Sequence, residues 1–307
     1  MRAAVLGAIG APEELVLRDV AAPAAEDGRV VVDVKAAAIN FLEVLVRRGL
    51  YPQMPQLPWV PGIEVAGTTP DGRRVLGLLS TSGGGYAEQA TLDEQWLFDL
   101  PEGASFEEGA AFLMAYLTAW IPLTRQVVVG VGSRVLVHAA AGGVGSAAVV
   151  AARHLGAEVV ATAGSEAKLE LPLSLGASQA VTYDRLSEIA PVDVVLDPVG
   201  GQLFADSIGL LRPLGNAVAI GFAGGAWPSL DPALLVGRNV GAQGFYLGRL
   251  MQREPGLVRE AALELLRLWR EGDVWPLVGS TFPLADVAEA HRLIESRQST
   301  AKVVLVT

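Results

Sequence analysis

VLVHAAAGGVGSAAVVAARHLGAEVVATAGSEAK, residues 135–168, is the stretch that decides the fold. Val135 to Ala139 is an apolar, β-branched run that reads as a strand, and Gly142, Gly143 and Gly145 read as the turn after it. Ser146 to Leu155 is an alanine-rich helix, and Glu158 to Thr162 a second strand. A helix that starts directly behind a strand and a glycine turn aims its unpaired N–H groups at whatever lies beyond the strand, which is how a pyrophosphate is held. Glycines alone say little; glycines between a strand and a helix are the arrangement a dinucleotide site requires, with a plain strand-to-helix turn as the alternative.

The end of the second strand bears on which nucleotide fits. A carboxylate about 20 residues beyond the glycines would hold a ribose 2′-hydroxyl. That place falls near Ala163 and Gly164, and Ser165 and Lys168 follow. A hydroxyl and an ammonium suit a 2′-phosphate, so NADP(H) is favoured, with Glu166 blunting the positive field. Ser165 also reads as the cap of a helix from Glu166, and Lys168 as a solvated surface residue.

Working outward, 307 residues suffice for two domains with sizeable cores, and 51% hydrophobic with 18% charged residues is ordinary for a folded protein. A net charge of −10 disfavours nucleic acid and anionic membrane surfaces as partners. The absence of cysteine excludes disulfides and thiolate nucleophiles and removes the usual soft ligands of zinc. His138, His154 and His291 show no paired spacing, so no metal site is expected. The long uncharged run Gly109 to Thr124 is too short, and interrupted by Pro122, to span a bilayer; it reads as a buried helix preceded by a capping box of Ser105 and Glu108. Met1 to Leu6 already reads as a strand rather than a leader, and these signs together point to the cytoplasm.

Residues 1–111 read as short strands broken by glycine and proline. From 112 the pattern alternates: helix 146–155, strand 158–162, helix 166–175, strand 179–182, strand 192–197, helix 201–211, strand 215–221 and strand 239–245 make a doubly wound parallel sheet. Pro255 to Glu271 is an amphipathic helix. The Asn239 to Phe245 strand is nearly uncharged and would be a sheet edge in a monomer.

Beyond this unit, NFLEVLVRRGLYP (40–52), VPGIEVAG (60–67), GGYAEQA (84–90), LPEGASFEEGAAF (100–112), LTAW (117–120), DVVLDPVGG (193–201) and the tail from Ala290 resemble the zinc-free quinone oxidoreductases. These are the ζ-crystallin-like branch of the medium-chain dehydrogenases/reductases. The resemblance spans nearly the whole chain. It implies an α/β protein: a Rossmann domain at 112–249 that binds NADPH, and a discontinuous GroES-like β-rich catalytic domain at 1–111 and 250–307. Where zinc-dependent relatives place metal ligands, this chain has Asn-Phe-Leu-Glu from Asn40 and Gly-Ile-Glu from Gly62, and the four-cysteine lobe is missing.

The resemblance also implies site residues in a cleft between the domains. Asn40, Thr118, Gly142, Gly143, Val144, Ser165, Lys168, Tyr183, Val199, Ile220, Phe245, Leu247 and Lys302 are implied as cofactor contacts, with Lys302 near the pyrophosphate. Without a metal, the acceptor oxygen needs hydrogen-bond donors, for which Asn40 and Tyr51 are the catalytic candidates. Asn40 equally reads as the cap of a helix from Phe41 to Arg48, Tyr51 as a loop anchor, and Glu43 as either a site carboxylate or a solvated one. Leu45 stands where some relatives carry a second tyrosine, which makes the pocket more apolar. The expected activity is NADPH-dependent reduction of a quinone by a homodimer. Reduction of an enal, enone or enoyl thioester C=C bond remains open, as does NADPH binding without catalysis. A thioester carried on CoA would call for a basic entrance, and Arg47 and Arg48 are the nearby pair.

Overall fold

The computed structural model describes residues 1–24, 28–80, 82–227 and 229–307. The chain forms two compact units, one of Met1–Met114 with Trp275–Thr307 and one of Ala115–Val274.

The first unit is built on Arg29–Ile39, a strand of 11 residues that pairs with three others. Its first half alternates, burying Val32 and Val34 while exposing Lys35, as a strand with one covered face must. Its second half, Ala36 to Ile39, is wholly buried. The sheet runs in the order Val278–Pro283, Lys302–Val306, Arg29–Ile39, Glu64–Thr68, Arg74–Leu78, Leu97–Asp99, with Gln89–Asp93 also on Arg29–Ile39. The pairing of Lys302–Val306 with Arg29–Ile39 brings the last residues of the chain beside Asn40. The expected capping box forms, with Glu108 N–H donating to Ser105 Oγ at 3.1 Å and Ser105 N–H to Glu108 Oε2 at 2.8 Å, but it starts a short Phe106–Ala110 helix. The run expected as one helix over 109–124 is divided among it, Leu113–Ile121 and a π-helical turn, Pro122–Gln126.

The second unit holds six parallel strands in the order Gln179–Thr182, Glu158–Ala163, Arg134–Val137, Val192–Asp197, Leu211–Ala219, Gly241–Gly244. Strand order reverses between Arg134–Val137 and Val192–Asp197, and at such a switch point the loops leaving the strands diverge and open a crevice. Gly241–Gly244 is an edge strand paired only with Leu211–Ala219 among the described residues.

Three further boundaries depart from expectation. The helix foreseen over 166–175 is a 3-10 turn, Glu166–Lys168, followed by a short helix, Glu170–Ser174, with Pro172 in its first turn. The helix foreseen over 201–211 ends at Ser207, passes through a 3-10 turn and becomes strand at Leu211. The chain rejoins the first unit at Trp275 rather than near 250. The amphipathic Pro255–Glu271 helix stays with the second unit, where Glu264 accepts from Trp120 Nε1 at 3.2 Å and Glu260 pairs with Arg125 at 3.3 Å.

Candidate active site

Because the six strands of the second unit are parallel, the segments that leave their carboxyl ends share one edge of the sheet. From Arg134–Val137 the chain turns through Ala139, whose φ is +47°, to Gly142, which caps the Gly143–His154 helix. Gly143 and Gly145 therefore lie inside the first helical turn, not in the loop the sequence suggested. At Gly145 a Cβ would sit 2.1 Å from the Ala139 carbonyl oxygen, so only glycine lets the helix start this close to the strand end. The first N–H groups of the helix, including those of Gly143 and Val144, have no preceding turn to bind, and both residues are only half-buried. Such a helix start can hold an anion.

Glu158–Ala163 ends at exposed Gly164 and Ser165, with half-buried Lys168 just beyond and no carboxylate before Glu166. Partial burial lowers the Lys168 pKa, because the ammonium has lost part of its hydration. Tyr183 lies alongside: a Cβ on Gly164 would meet its ring at 3.6 Å. Ser165 makes no side-chain cap bond to the turn that follows. Glu166 is paired with Arg185 at 3.4 Å, and Arg185 also grips Glu188 through two bonds of 2.7 Å. Arg185 was missed in the sequence; its only signal is a place two residues past Tyr183.

At the end of Val192–Asp197, the Asp197 carboxylate accepts from Val199 N at 2.7 Å and Gly200 N at 2.9 Å, which fixes the turn that carries Val199. Burial pushes the Asp197 pKa up to about 6. Ile220 N donates to Asp197 O and Phe245 N to Ala219 O, both at 2.9 Å, so each follows its strand end directly. Leu247 is buried at the start of the Leu247–Arg253 helix. Thr118 is half-buried within Leu113–Ile121. Behind the strand ends, His138 is fully buried between Thr162 Oγ1 on Nδ1 and Ser207 Oγ on Nε2, each at 2.7 Å. Ser207 Oγ donates its own proton to Leu203 O, so it accepts from Nε2–H, and Nδ1 accepts from Thr162. Burial holds this imidazole down at about 3, a neutral structural histidine.

In the first unit, Asn40 caps the Phe41–Arg47 helix. Glu43 Oε2 accepts from Asn40 N–H at 2.8 Å, while Asn40 Oδ1 accepts from Lys302 Nζ at 2.6 Å. Lys302 is paired with Glu64 at 3.1 Å, and Glu64 Oε1 accepts from Met114 N at 2.7 Å. Glu43, Glu64 and Lys302 are all buried, so Glu43 is not the solvated carboxylate that was one of its two readings. Burial pushes the Glu43 pKa up to about 7 against the pull of Lys302, and raises that of Glu64 too. Lys302, expected to reach a pyrophosphate, is committed to Glu64 and Asn40. Asn40 Nδ2, Glu43 Oε1, Tyr86 Oη and His291 Nε2 are buried without a hydrogen-bond partner. Tyr51, in the loop after the helix, packs on the apolar core of this unit, and Leu45 within the helix is buried. Neither Glu64 nor Tyr86 carries a local sequence signal for its part here.

Arg47 is buried as well, bonded to Gly10 O, to His291 Nδ1 at 3.4 Å and to Glu295 at 2.5 Å. It is therefore not half of an exposed basic pair. Among the described residues no group of three or more His, Cys, Asp or Glu side chains is placed to hold a metal, and no helix is long and apolar enough to cross a membrane.

Two family models match the chain: Alcohol dehydrogenase GroES-like domain over residues 26–102, and Zinc-binding dehydrogenase over 143–265. The bovine (Bos taurus) quinone oxidoreductase-like protein 2 is 35% identical over 99% of this chain and 92% of its own length. The quinone oxidoreductase from Thermus thermophilus, solved also in complex with NADPH, is 41% identical with a TM-score of 0.92, and each chain is covered in full. The Escherichia coli quinone oxidoreductase complexed with NADPH is 29% identical, again with a TM-score of 0.92 and full coverage of both chains. The chain belongs to the quinone oxidoreductase family of the medium-chain dehydrogenases/reductases. Within that family, the 26–102 match contains Asn40, Glu43, Tyr51 and Glu64, and the 143–265 match begins at the helix start behind Gly142.

Proposed function

We propose that this protein is an NADPH-dependent oxidoreductase that reduces quinones without a metal, acting as a cytoplasmic homodimer. The observation that carries the cofactor reading is the end of the Glu158–Ala163 strand: Ser165 and partly desolvated Lys168 stand where a ribose-binding carboxylate would be, and Glu166 is drawn off by Arg185. A 2′-phosphate would restore to Lys168 the charge stabilisation it lost with its water. Gly142, Gly143 and Val144 would take the pyrophosphate on their N–H groups. Tyr183 would flank the adenosine phosphate end, and Thr118, Val199, Ile220, Phe245 and Leu247 would line the nicotinamide half. NADPH supplies a hydride when bound. Asn40 would orient a carbonyl by donating to it, and Tyr51 would donate to the oxygen that gains negative charge.

Quinones suit this donor set because they accept hydride readily and ask little electrophilic help. The burial of Arg47 speaks against a CoA thioester, since the pair that would meet a CoA phosphate is reduced to Arg48, itself 3.8 Å from Glu295. The unpaired edge of Gly241–Gly244 is where a second copy would extend the sheet. The test is a steady-state screen of NADPH oxidation with 1,4-quinones, 1,2-quinones, 2-alkenals and enoyl thioesters, run after dialysis against a strong chelator. Turnover with quinones that survives the chelator is expected. Turnover confined to alkenals or thioesters, or restored only by added metal, would overturn the proposal.

A further inference from the structure

We infer that Lys302 and Glu64 are positioning residues that fix the orientation of the Asn40 amide, so that position 40 meets its ligand only as a hydrogen-bond donor. The inference deepens the proposed NADPH site and rests on it.

The orientation follows from the chemistry of the links. An ammonium has donors and no acceptor, so the Asn40 atom 2.6 Å from Lys302 Nζ is the oxygen, and the amide cannot be read the other way round. Turning the amide would set its N–H groups against a buried cation. Lys302 is itself only 4% exposed and cannot swing to water. Glu64 holds it at 3.1 Å, and Glu64 is held in turn by Met114 N at the start of the Leu113–Ile121 helix, where backbone donors favour a carboxylate. Each link from that helix start through Glu64 and Lys302 to Asn40 has one direction of donation.

Glu43 completes the hold from the other side. Its Oε2 accepts from the Asn40 backbone N–H, which keeps the residue in its extended cap conformation while the side chain is held by Lys302. What remains is Asn40 Nδ2, a buried donor with no partner in the protein. In a native fold such an atom calls for an explanation. A donor of this kind recognises a carbonyl oxygen, either that of the nicotinamide carboxamide or that of the quinone, and is blind to the carboxamide NH2.

The experiment is calorimetric titration of the whole protein and its variants with NADP+ and two analogues, alongside quinone kinetics. The acetylpyridine analogue keeps the carbonyl and replaces NH2 by methyl; the thionicotinamide analogue replaces the carbonyl oxygen by sulfur, a poor acceptor. If Asn40 donates to the carboxamide, Asn40→Ala weakens NADP+ and the acetylpyridine analogue by the same factor, about tenfold, and the thio analogue less. If it donates to the quinone, Asn40→Ala leaves all three affinities unchanged and lowers quinone turnover instead. Either result supports a donor, and the pair of arms tells the two oxygens apart.

Lys302 is tested by the ratio of affinities, which simple loosening of the fold would not move. Lys302→Met frees the amide to turn and should favour NADP+ over the acetylpyridine analogue, whereas Lys302→Arg, which still only donates, should keep the wild-type ratio. For the quinone arm the corresponding readout is turnover, lost in Lys302→Met and retained in Lys302→Arg. Should Lys302→Met not fold, Asn40→Asp keeps an acceptor toward Lys302 but has no N–H to offer, and it should lose as much as Asn40→Ala. An Asn40→Ala effect that vanishes for the acetylpyridine analogue alone would show an acceptor at position 40 and overturn the inference. So would wild-type behaviour of Asn40→Asp in both affinity and turnover. A wild-type protein that binds none of the three nucleotides would remove the cofactor reading itself, a failure distinct from either of these.

Discussion

Each unit buries a polar cluster, and the two are built on opposite terms. In the second unit, Thr162, His138 and Ser207 are neutral and every ring nitrogen is matched, with each donor facing an acceptor. In the first, Glu43, Glu64 and Lys302 bring charges out of water, and Asn40 Nδ2, Glu43 Oε1 and the nearby Tyr86 Oη are left without partners. A satisfied neutral network specifies a core; a charged one that is only partly satisfied is expensive to keep and marks a place held ready for something else. The contrast supports reading the histidine cluster as part of the fold and the lysine cluster as part of the proposed site.

The sharpest way to break that contrast is to remove one charge. Lys302→Met leaves the buried Glu64 and Glu43 without their cation and should lower stability by roughly 3–5 kcal/mol. Thr162→Val in the neutral cluster should lose only about 1–3 kcal/mol, the cost of one unmatched ring nitrogen. Urea unfolding of both variants against wild type at neutral pH gives the comparison, and equal losses would remove the distinction.

Next in size is a pH effect. The folded-state pKa of Glu43, about 7, lies above its ordinary value of 4.5, so its contribution is fully present below about 4.5 and is lost as pH rises through about 7. The groups facing it are Lys302 and Tyr86, with the backbone of Asn40 and Ile63. Glu43→Gln should abolish that decline, gaining on wild type by roughly 3 kcal/mol between pH 4.5 and 8. The buried imidazoles of His138 and His291 act in the other direction: both are held down at about 3, so the stability they allow is lost as pH falls below 6.5. Thermal unfolding of wild type and Glu43→Gln across this range isolates the carboxylate, and parallel curves would refute the raised pKa of Glu43 in the folded protein.

The smallest expected effect concerns the second unit's own ligand edge. Lys168→Ala should weaken NADPH by about 1–3 kcal/mol and leave NADH nearly unchanged, as for one charge-assisted contact to the 2′-phosphate. Equal weakening of both nucleotides, measured by fluorescence titration, would dismiss Lys168 as a phosphate ligand.

What the sequence disclosed follows the range of its physical signals. The strand, turn and helix over 135–168, the Ser105–Glu108 cap and the alternation of helices and strands after residue 112 rest on periodicity and short-range bonding, and these act within a few residues. The glycine of position 145 was legible, but its place inside the helix was not, because that depends on how near the Ala139 carbonyl lies. Glu43 was ambiguous for a plainer reason: its countercharge, Lys302, stands at the far end of the chain and reaches it only through the pairing of Lys302–Val306 with Arg29–Ile39. Arg47 looked like an open basic residue, yet its partners Glu295 and His291 come from the Val287–Glu295 helix, again a long way off in sequence. Likewise, the apolar face of Pro255–Glu271 announced that the helix would pack, without saying on which unit.

The measurement closest to the central claim is a single-turnover, stopped-flow reaction of the NADPH-loaded protein with a 1,4-quinone under anaerobic conditions. NADPH absorbance should fall in one phase, one equivalent per site, and Asn40→Ala and Tyr51→Phe should slow that phase by roughly 10-fold to 100-fold, while each variant still binds NADPH. A protein that binds NADPH tightly and leaves it unoxidised in the presence of the quinone would contradict the account and leave a nucleotide-binding protein without this chemistry.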